Sequence, residues 1–332
     1  AEKTLAGLNE YASRANWVQA TNITFDSNYI AARANAEVTE TLVNLANESK
    51  RFDGTQLPPD AARKLKLLKL ALTLPAPRRE GAAAEIAAIG TRLETTYSTG
   101  KLDYKGKQIT LDDAADIMAT SRNPAELKAV WEGWHKISVP MKADYTRQAA
   151  LANEGAREMG FADVGALWRS NYDMDPDAFA AETDRLWSDV EPLYKSLHCY
   201  VRGKLNARYG DAVQPKAGPI RADLLSNMWA QDWSGLYPML APKGADSDID
   251  VTARLKAKGY TPEKMVKAGE GFFTSLGFAP LPQTFWDRSM IVRPRDREVT
   301  CHASAWNMDA KDDLRIKMCT KVNEEDFVTI HH

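Results

Sequence analysis

Apolar residues recur at helical spacing along most of this chain. Two prolines suited to a first helical turn open the run PPDAARKLKLLKLALTL, which carries a stripe of leucines. In SNYIAARANAEVTETLVNLANESKRF the spacing predicts a helix with Ser27 as its N-cap. The same period predicts helices in NPAELKAVWEGWHKI, MKADYTRQAALANEGAREMG, YTPEKMVKAGEGFFTSLG and from about Asp175 to Tyr209. The pattern therefore predicts a mainly α protein.

Strand-like patterns are confined to two places. LDYKGKQIT predicts a short hairpin with Lys105 and Gly106 in its turn. The runs REVTCHASAW and DLRIKMCTKV are separated by the polar stretch NMDAKDD and predict a second hairpin. We expect the β structure to be minor and antiparallel.

The cysteines bear on the cellular compartment. Three are present, Cys199, Cys301 and Cys319, and from this count alone three free thiols are as reasonable as a disulfide. Cys301 and Cys319 flank the second predicted hairpin, whose ends lie close together, and this position favours a bond between them. Such a bond predicts a secreted or periplasmic protein. Cys199 is then expected to be a buried helix residue.

Composition excludes several classes of protein. Hydrophobic residues make up 44% of the 332 residues, which is ordinary for a globular chain. The net charge of -2 gives no basic surface for nucleic acid. No run of 18 apolar residues occurs, so we expect no transmembrane helix and no membrane partner.

The last ten residues, NEEDFVTIHH, carry the candidate chemistry. Glu324, Glu325 and Asp326 precede an apolar run, as is typical of a helix N-terminus. A helix ending in histidine is how the zinc motif H-E-x-x-H begins, in which two histidines share one face and the glutamate acts as base. From these residues alone the inference is weak, because a terminal histidine pair is also what a cut purification tag leaves.

The neighbouring motifs are more specific. CHASAWN followed by DLRIKMCTKVNEEDFVTIHH resembles the angiotensin-converting enzyme family of gluzincin peptidases. From about residue 120 onward the resemblance continues in family order through WEGWH, GFADVGALWRSNYD, ARYGD, GPIRADLLSNMWAQDW, FFTSLGF and FWDRSM. It implies a zincin-like helical ellipsoid with a central channel and a minor antiparallel β hairpin near the active site.

The resemblance also implies how the chain is organised. Residues 1–332 match the N-terminal portion of a single peptidase domain. Within it, 1–210 would form a mostly helical lid and channel wall, and 211–332 a substrate-binding segment with the hairpin and the start of the zinc helix. The remainder of the catalytic domain is expected beyond His332, and we expect the chain alone to be inactive and prone to aggregate.

Individual site residues follow from the same resemblance. His332 matches the first zinc ligand and His331 its non-ligating neighbour, and the motif's glutamate lies beyond His332, so no catalytic residue is expected in this chain. The other matches are to residues that bind the peptide substrate (His302 and the backbone of Ala303), its C-terminal carboxylate (Gln231), the pocket beyond the scissile bond (Glu325 and Asp326) and chloride (Arg169 and Tyr209). As an alternative, Glu325 and Asp326 are simply helix-capping charges.

Gln231 indicates which activity within the family the chain resembles. A carboxypeptidase relative carries arginine at that position, and a longer charged side chain leaves room for one residue, whereas Gln231 leaves room for two. The resemblance therefore implies a zinc peptidyl-dipeptidase, with chloride as a further ion, an oligopeptide substrate and the remaining half of the domain as partner. The alternative is a non-catalytic helical protein of the same fold that binds peptides or partners.

Overall fold

A computed structural model describes residues 1–242, 244 and 249–332, and the chain divides into two compact units. The first unit comprises Ala1–Arg51, Arg78–Ser98 and Asp246–His332, and the second comprises Phe52–Pro77 and Thr99–Ala245. Neither unit ends at the predicted division between residues 210 and 211. That division concerns a larger peptidase domain and stays a prediction.

Helices dominate both units. The described helices are α1 (Glu2–Thr21), α2 (Phe25–Ser49), α3 (Pro59–Leu70), α4 (Ala82–Thr99), α5 (Leu111–Thr120), α6 (Pro124–His135), α7 (Met141–Glu158), α8 (Val164–Arg169), α9 (Pro176–Tyr209), α10 (Tyr237–Leu240), α11 (Val251–Ala257), α12 (Pro262–Ser275), α13 (Gln283–Arg288) and α14 (Glu324–His331). The strands are β1 (Leu102–Tyr104), β2 (Lys107–Ile109), β3 (Ser304–Asn307) and β4 (Leu314–Lys317), in two antiparallel pairs. The mainly α prediction with minor antiparallel hairpins is confirmed. None of the described helices is long and apolar enough to cross a membrane.

The start of α2 corrects one prediction. Thr24, not Ser27, is the N-cap, because the extended backbone at Thr24 starts the helix one turn earlier. The Ser27 amide donates to Thr24 Oγ1 at 3.0 Å, and the Thr24 amide donates to Ser27 Oγ at 2.9 Å. Ser27 thus completes a capping box.

The long helix α9 in the second unit is mostly exposed. Of its residues, only Val201 and Leu205 are buried. Five of its exposed apolar residues repeat at intervals of four and three along one face: Leu186, Val190, Leu193, Leu197 and Tyr200. Cys199 is free and exposed, so the prediction of a buried thiol was wrong. The helix predicted around Cys199 is present, but few of the described residues pack against this part of α9.

Small residues and a cluster around Trp17 form the core of the first unit that supports the second hairpin. Ala12 and Ala15 of α1 pack against Ala34 of α2, where short side chains let the two helices approach closely. Trp17 at the end of α1 joins a second cluster, together with Met290, Val299 and Met308, and Cys301, Trp306 and Cys319 pack against it. The hairpin therefore rests on α1 through buried apolar surface.

Gly155 on α7 provides a test of close packing in the second unit. A Cβ added at Gly155 would lie 2.2 Å from the Pro75 carbonyl oxygen, a backbone atom that moves only if the chain shifts. We expect Gly155→Ala to lower the free energy of unfolding by about 2 kcal/mol, measured by urea denaturation. The matched control is Gly203→Ala on α9, where nothing lies within 4 Å and alanine should stabilise the helix by about 0.5–1 kcal/mol. Equal stabilities for the two variants would contradict the close approach.

Candidate functional site

The second hairpin presents one strand at the edge of its sheet. β3 pairs with β4 in antiparallel register, from Ser304 opposite Lys317 to Asn307 opposite Leu314. The other side of β4 is occupied, because the Met290 amide donates to the Ile316 carbonyl at 2.9 Å. Among the described residues β3 has no second strand partner. An unpaired edge of this kind is what an extended peptide needs for strand addition.

The edge strand is shorter than predicted. The sequence indicated a strand within REVTCHASAW, but regular pairing starts only at Ser304. Upstream, the Thr300 amide donates at 2.8 Å to the Ala20 carbonyl at the end of α1, so this part of the chain pairs elsewhere. Residues 300–303 therefore lie outside the β3–β4 ladder, and other contacts fix their position.

A disulfide holds the base of the hairpin. Cys301 and Cys319 are bonded, with their Cα atoms 5.0 Å apart. This confirms the predicted pairing and rules out three free thiols. The bond lies next to His302, so it fixes the backbone that carries the predicted peptide-binding residues.

His302 is exposed and Ala303 is half-buried. The His302 Nδ1 atom lies 3.0 Å from the Ala303 carbonyl oxygen. A carbonyl oxygen only accepts, so this contact requires the tautomer with its hydrogen on Nδ1. In the neutral ring, the lone pair of Nε2 is then available as an acceptor.

Sequence reasoning missed Lys317, which lies behind this segment. Its side chain is buried, and Nζ donates to the carbonyl oxygens of Thr300 at 2.7 Å and His302 at 2.6 Å. Burial lowers the pKa of Lys317 to about 8, against the opposing effect of the Glu94 charge. The signal in the sequence was weak: a lysine at the end of a four-residue strand usually faces solvent.

A second missed feature attaches the hairpin to two helices. Asp313 is buried and accepts hydrogen bonds from three guanidinium groups: Arg315 on β4 at 2.8 Å, Arg288 on α13 at 2.7 Å and Arg14 on α1 at 3.2 Å. The Arg315 contact, followed by those with Arg14 and Arg288, holds the pKa of Asp313 well below its usual range despite burial. One carboxylate therefore ties β4 to both helices.

The acidic start of α14 forms as the sequence predicts. Asn323 is the N-cap, and its side chain accepts from the Asp326 amide at 2.8 Å. Asp326 is half-buried and accepts from the Lys321 amide at 2.5 Å, while Glu325 is exposed. Asp326 thus stabilises the turn before the helix. A role for Glu325 and Asp326 in a substrate pocket stays a prediction.

The two terminal histidines have different surroundings. His331 Nδ1 lies 2.6 Å from the Phe327 carbonyl, and its ring contacts Phe327 and Phe272. Gly269 on α12 makes room for this end of α14, since an added Cβ would lie 3.0 Å from Ile330 Cγ2. His332 is exposed. The histidine that the resemblance assigns to the metal is therefore the accessible one.

The described residues do not fit a complete zinc site. Zinc in proteins takes three or four protein ligands. Among the described residues, no group of three histidine, cysteine or carboxylate ligand atoms within 4.8 Å of one another includes His332. The described residues offer one candidate ligand, His332, and a zinc site would need others from outside them.

The remaining predicted site residues lie in the second unit. Gln231 is exposed in a loop where Ala230 adopts a left-handed conformation with φ of 57°, and Trp233 Nε1 donates to the Ala230 carbonyl at 2.9 Å.

The two residues predicted to bind chloride lie at helix ends. Arg169 ends α8, where its Nε donates to the Pro176 carbonyl at 3.0 Å, and Tyr209 ends α9. The structure thus places His302, Ala303, Glu325, Asp326 and His332 in the first unit and Gln231, Arg169 and Tyr209 in the second. Chloride binding at Arg169 and Tyr209 stays a prediction.

Sequence comparison assigns this arrangement to a class of peptidase. A model of the M2 peptidases matches residues 1–332, and the chain belongs to that family. The family is described as angiotensin-converting enzyme, as the resemblance of its motifs indicated.

Individual relatives carry the same description. The angiotensin-converting enzyme of Rattus norvegicus is 38% identical over 328 residues, which cover 98% of this chain and 25% of the relative. That of Oryctolagus cuniculus is 44% identical over 248 residues, covering 73% of this chain and 19% of the relative. For Haematobia irritans exigua the identity is 34% over 338 residues, covering 99% of this chain and 55% of the relative. The chain thus spans between 19% and 55% of the length of these relatives.

Proposed function

We propose that the protein containing this chain is a zinc metallopeptidase that releases C-terminal dipeptides from oligopeptides. The observation that carries the proposal is the unpaired edge of β3, which begins beside His302 and Ala303 in a chain of the M2 peptidase family. An extended substrate would add to this edge through backbone hydrogen bonds, as peptides add to exposed sheet edges elsewhere.

The other predicted residues have distinct parts in this proposal. The neutral carboxamide of Gln231 would bind the C-terminal carboxylate, with space for two residues between the scissile bond and that carboxylate. Glu325 and Asp326 would line the pocket for those residues. His332 would supply one zinc ligand, and Arg169 and Tyr209 would contribute to chloride sites.

Two further proposals concern partners and compartment. The described residues hold one candidate metal ligand, so activity would need the rest of the peptidase domain as well. The disulfide between Cys301 and Cys319 supports a secreted or periplasmic location, because such bonds persist in oxidising compartments.

A non-catalytic peptide-binding protein is the second candidate function. The unpaired edge of β3 is also what such a protein would need to bind an extended peptide. Both candidates use the same strand edge, so only the fate of a bound peptide separates them.

Hydrolysis of an N-terminally blocked tripeptide tests the proposal. We expect the full-length protein to release the C-terminal dipeptide, a chelator to abolish this activity and added zinc to restore it. The 332-residue chain alone is expected to give no cleavage, since one imidazole does not hold zinc at useful affinity.

Each other outcome has a separate meaning. Chelator-sensitive dipeptide release by the chain alone would contradict its expected inactivity. Release of single amino acids by the full-length protein would overturn the interpretation of Gln231. Peptide binding without any cleavage would favour the non-catalytic candidate.

A further inference from the structure

Lys317 combines deep burial with two strong acceptors. Its residue is 3% exposed, and a lysine buried to this degree needs polar partners for its ammonium group. The partners are backbone atoms of one short segment: the carbonyl oxygens of Thr300 and His302, one on each side of Cys301. The hydrogen bonds of the Lys317 ammonium group therefore go to the backbone and not to another side chain.

Residues 300–303, which Lys317 contacts, have few other contacts that fix their backbone. β3 begins only at Ser304, so residues 301–303 lie outside the regular ladder. Upstream, the backbone is held by the bond from the Thr300 amide to Ala20, and the disulfide restrains Cys301. The Ala303 carbonyl accepts from the exposed His302 ring. For the backbone between Cys301 and Ser304, the hydrogen bond that β4 provides is the one from Lys317 Nζ to the His302 carbonyl.

The charge of Lys317 suits this position. Glu94 on α4 supplies the opposing negative charge, and its Oε1 accepts from Thr300 Oγ1 at 3.4 Å. Burial lowers the pKa of Lys317 to about 8, so the ammonium form with all three N–H groups predominates at neutral pH. Charge-assisted bonds to carbonyl oxygens are stronger than neutral ones.

We infer that Lys317 is a positioning residue for peptide binding: by holding the backbone carbonyls of Thr300 and His302 it orients His302 and Ala303 for the substrate. The inference rests on the proposed function of this segment. Lys317 acts through the backbone and does not itself touch the peptide.

The test compares two lysines on the same hairpin in the full-length protein. Lys317→Met keeps an unbranched side chain one atom shorter and removes its donors, and Lys311→Met makes the same change at an exposed position. We expect Lys317→Met to raise KM for an oligopeptide at least about fivefold, with kcat within about twofold of the wild type. Lys311→Met should change neither, and Lys317→Arg, which keeps a charged donor, should recover part of the loss in KM.

A second measurement does not depend on activity. Amide hydrogen exchange at residues 302–304 should be faster in Lys317→Met than in the wild type, and unchanged in Lys311→Met. If Lys317→Met does not fold, Lys317→Gln, which keeps two N–H donors on a shorter side chain, is measured in the same way and should show the same rise in KM.

The outcomes separate this inference from the proposed function. A folded Lys317→Met protein with wild-type KM and wild-type exchange would overturn the positioning role, as would a loss of stability with no change in KM. Failure of the wild type to cleave any peptide would overturn the proposed function alone. Calorimetric affinity for the same peptide would then replace KM, with the same fivefold loss expected for Lys317→Met.

Discussion

Asp313→Ala is expected to lower the free energy of unfolding by about 3 kcal/mol, because it leaves a guanidinium group buried without its counter-charge. The Arg315 side chain is 11% exposed and depends on the Asp313 carboxylate, to which it donates two bonds at 2.8 Å. Arg14 and Arg288 are 43% and 48% exposed, so water can replace Asp313 for them, which keeps the loss near the lower end for a broken buried ion pair. Urea denaturation measures the difference.

The neighbouring Asp312 provides the control. It is exposed, and Asp312→Ala should change the free energy of unfolding by less than about 0.5 kcal/mol. Equal stabilities for Asp312→Ala and Asp313→Ala would show that the arginine cluster contributes nothing.

Acidification gives a second measurement of the same cluster. The pKa of Asp313 is lower in the folded protein than the value of about 3.9 for an unfolded aspartate, so folding favours its ionised form. Its stabilisation is therefore complete above about pH 4 and is lost as the pH falls towards the folded-state pKa. The wild type should lose more stability below pH 4 than Asp313→Ala does, and identical pH dependences would contradict the assignment.

Removal of the disulfide is the change with the next largest expected effect. The double variant Cys301→Ala and Cys319→Ala should lose about 3 kcal/mol of stability, since the bond closes a loop with a sequence separation of 18. Exchange of the amide groups at residues 302 and 303 should also become faster. Denaturation with and without a reducing agent measures the first effect, and reduction should leave the double variant unchanged.

Cys199→Ala is the matched control for the disulfide. Because Cys199 is free and exposed, this variant should have wild-type stability and lose as much of it on reduction as the wild type does. A wild type that is insensitive to complete reduction would contradict a stabilising role for the bond.

Local patterns in the sequence predicted the elements that depend on near neighbours. The helix at Glu324–His331 follows from three acidic residues ahead of an apolar run, and its cap lies one residue before its start. The disulfide follows from a hairpin whose ends are 18 residues apart. In these cases the stabilising groups are close in sequence, so the pattern contains the physical cause.

The supports of the site depend on distant residues and could not be predicted in this way. Arg14 and Asp313 are 299 residues apart, and nothing near Asp313 indicates that α1 supplies a partner. Lys317 looks like a solvent-facing strand residue until the Thr300 and His302 carbonyls are placed around it. Cys199 shows the converse, because helical periodicity cannot reveal which face of α9 stays uncovered. The proposed roles of Gln231, Arg169 and Tyr209 come from the resemblance to the family alone.

Two of the contacts that hold the hairpin carrying His302 differ in chemical kind. One is the disulfide between Cys301 and Cys319, which joins residues close in sequence and is broken by reduction. The other is the ionic contact of Asp313 with Arg14, which joins residues 299 positions apart in sequence and is broken when the carboxylate is protonated. A reducing, neutral solution would break the disulfide at the base of the hairpin and leave the ionic contacts to α1 and α13 in place, whereas an oxidising, strongly acidic one would do the reverse. Redox state and acidity are therefore expected to act independently on the order of the unpaired edge of β3.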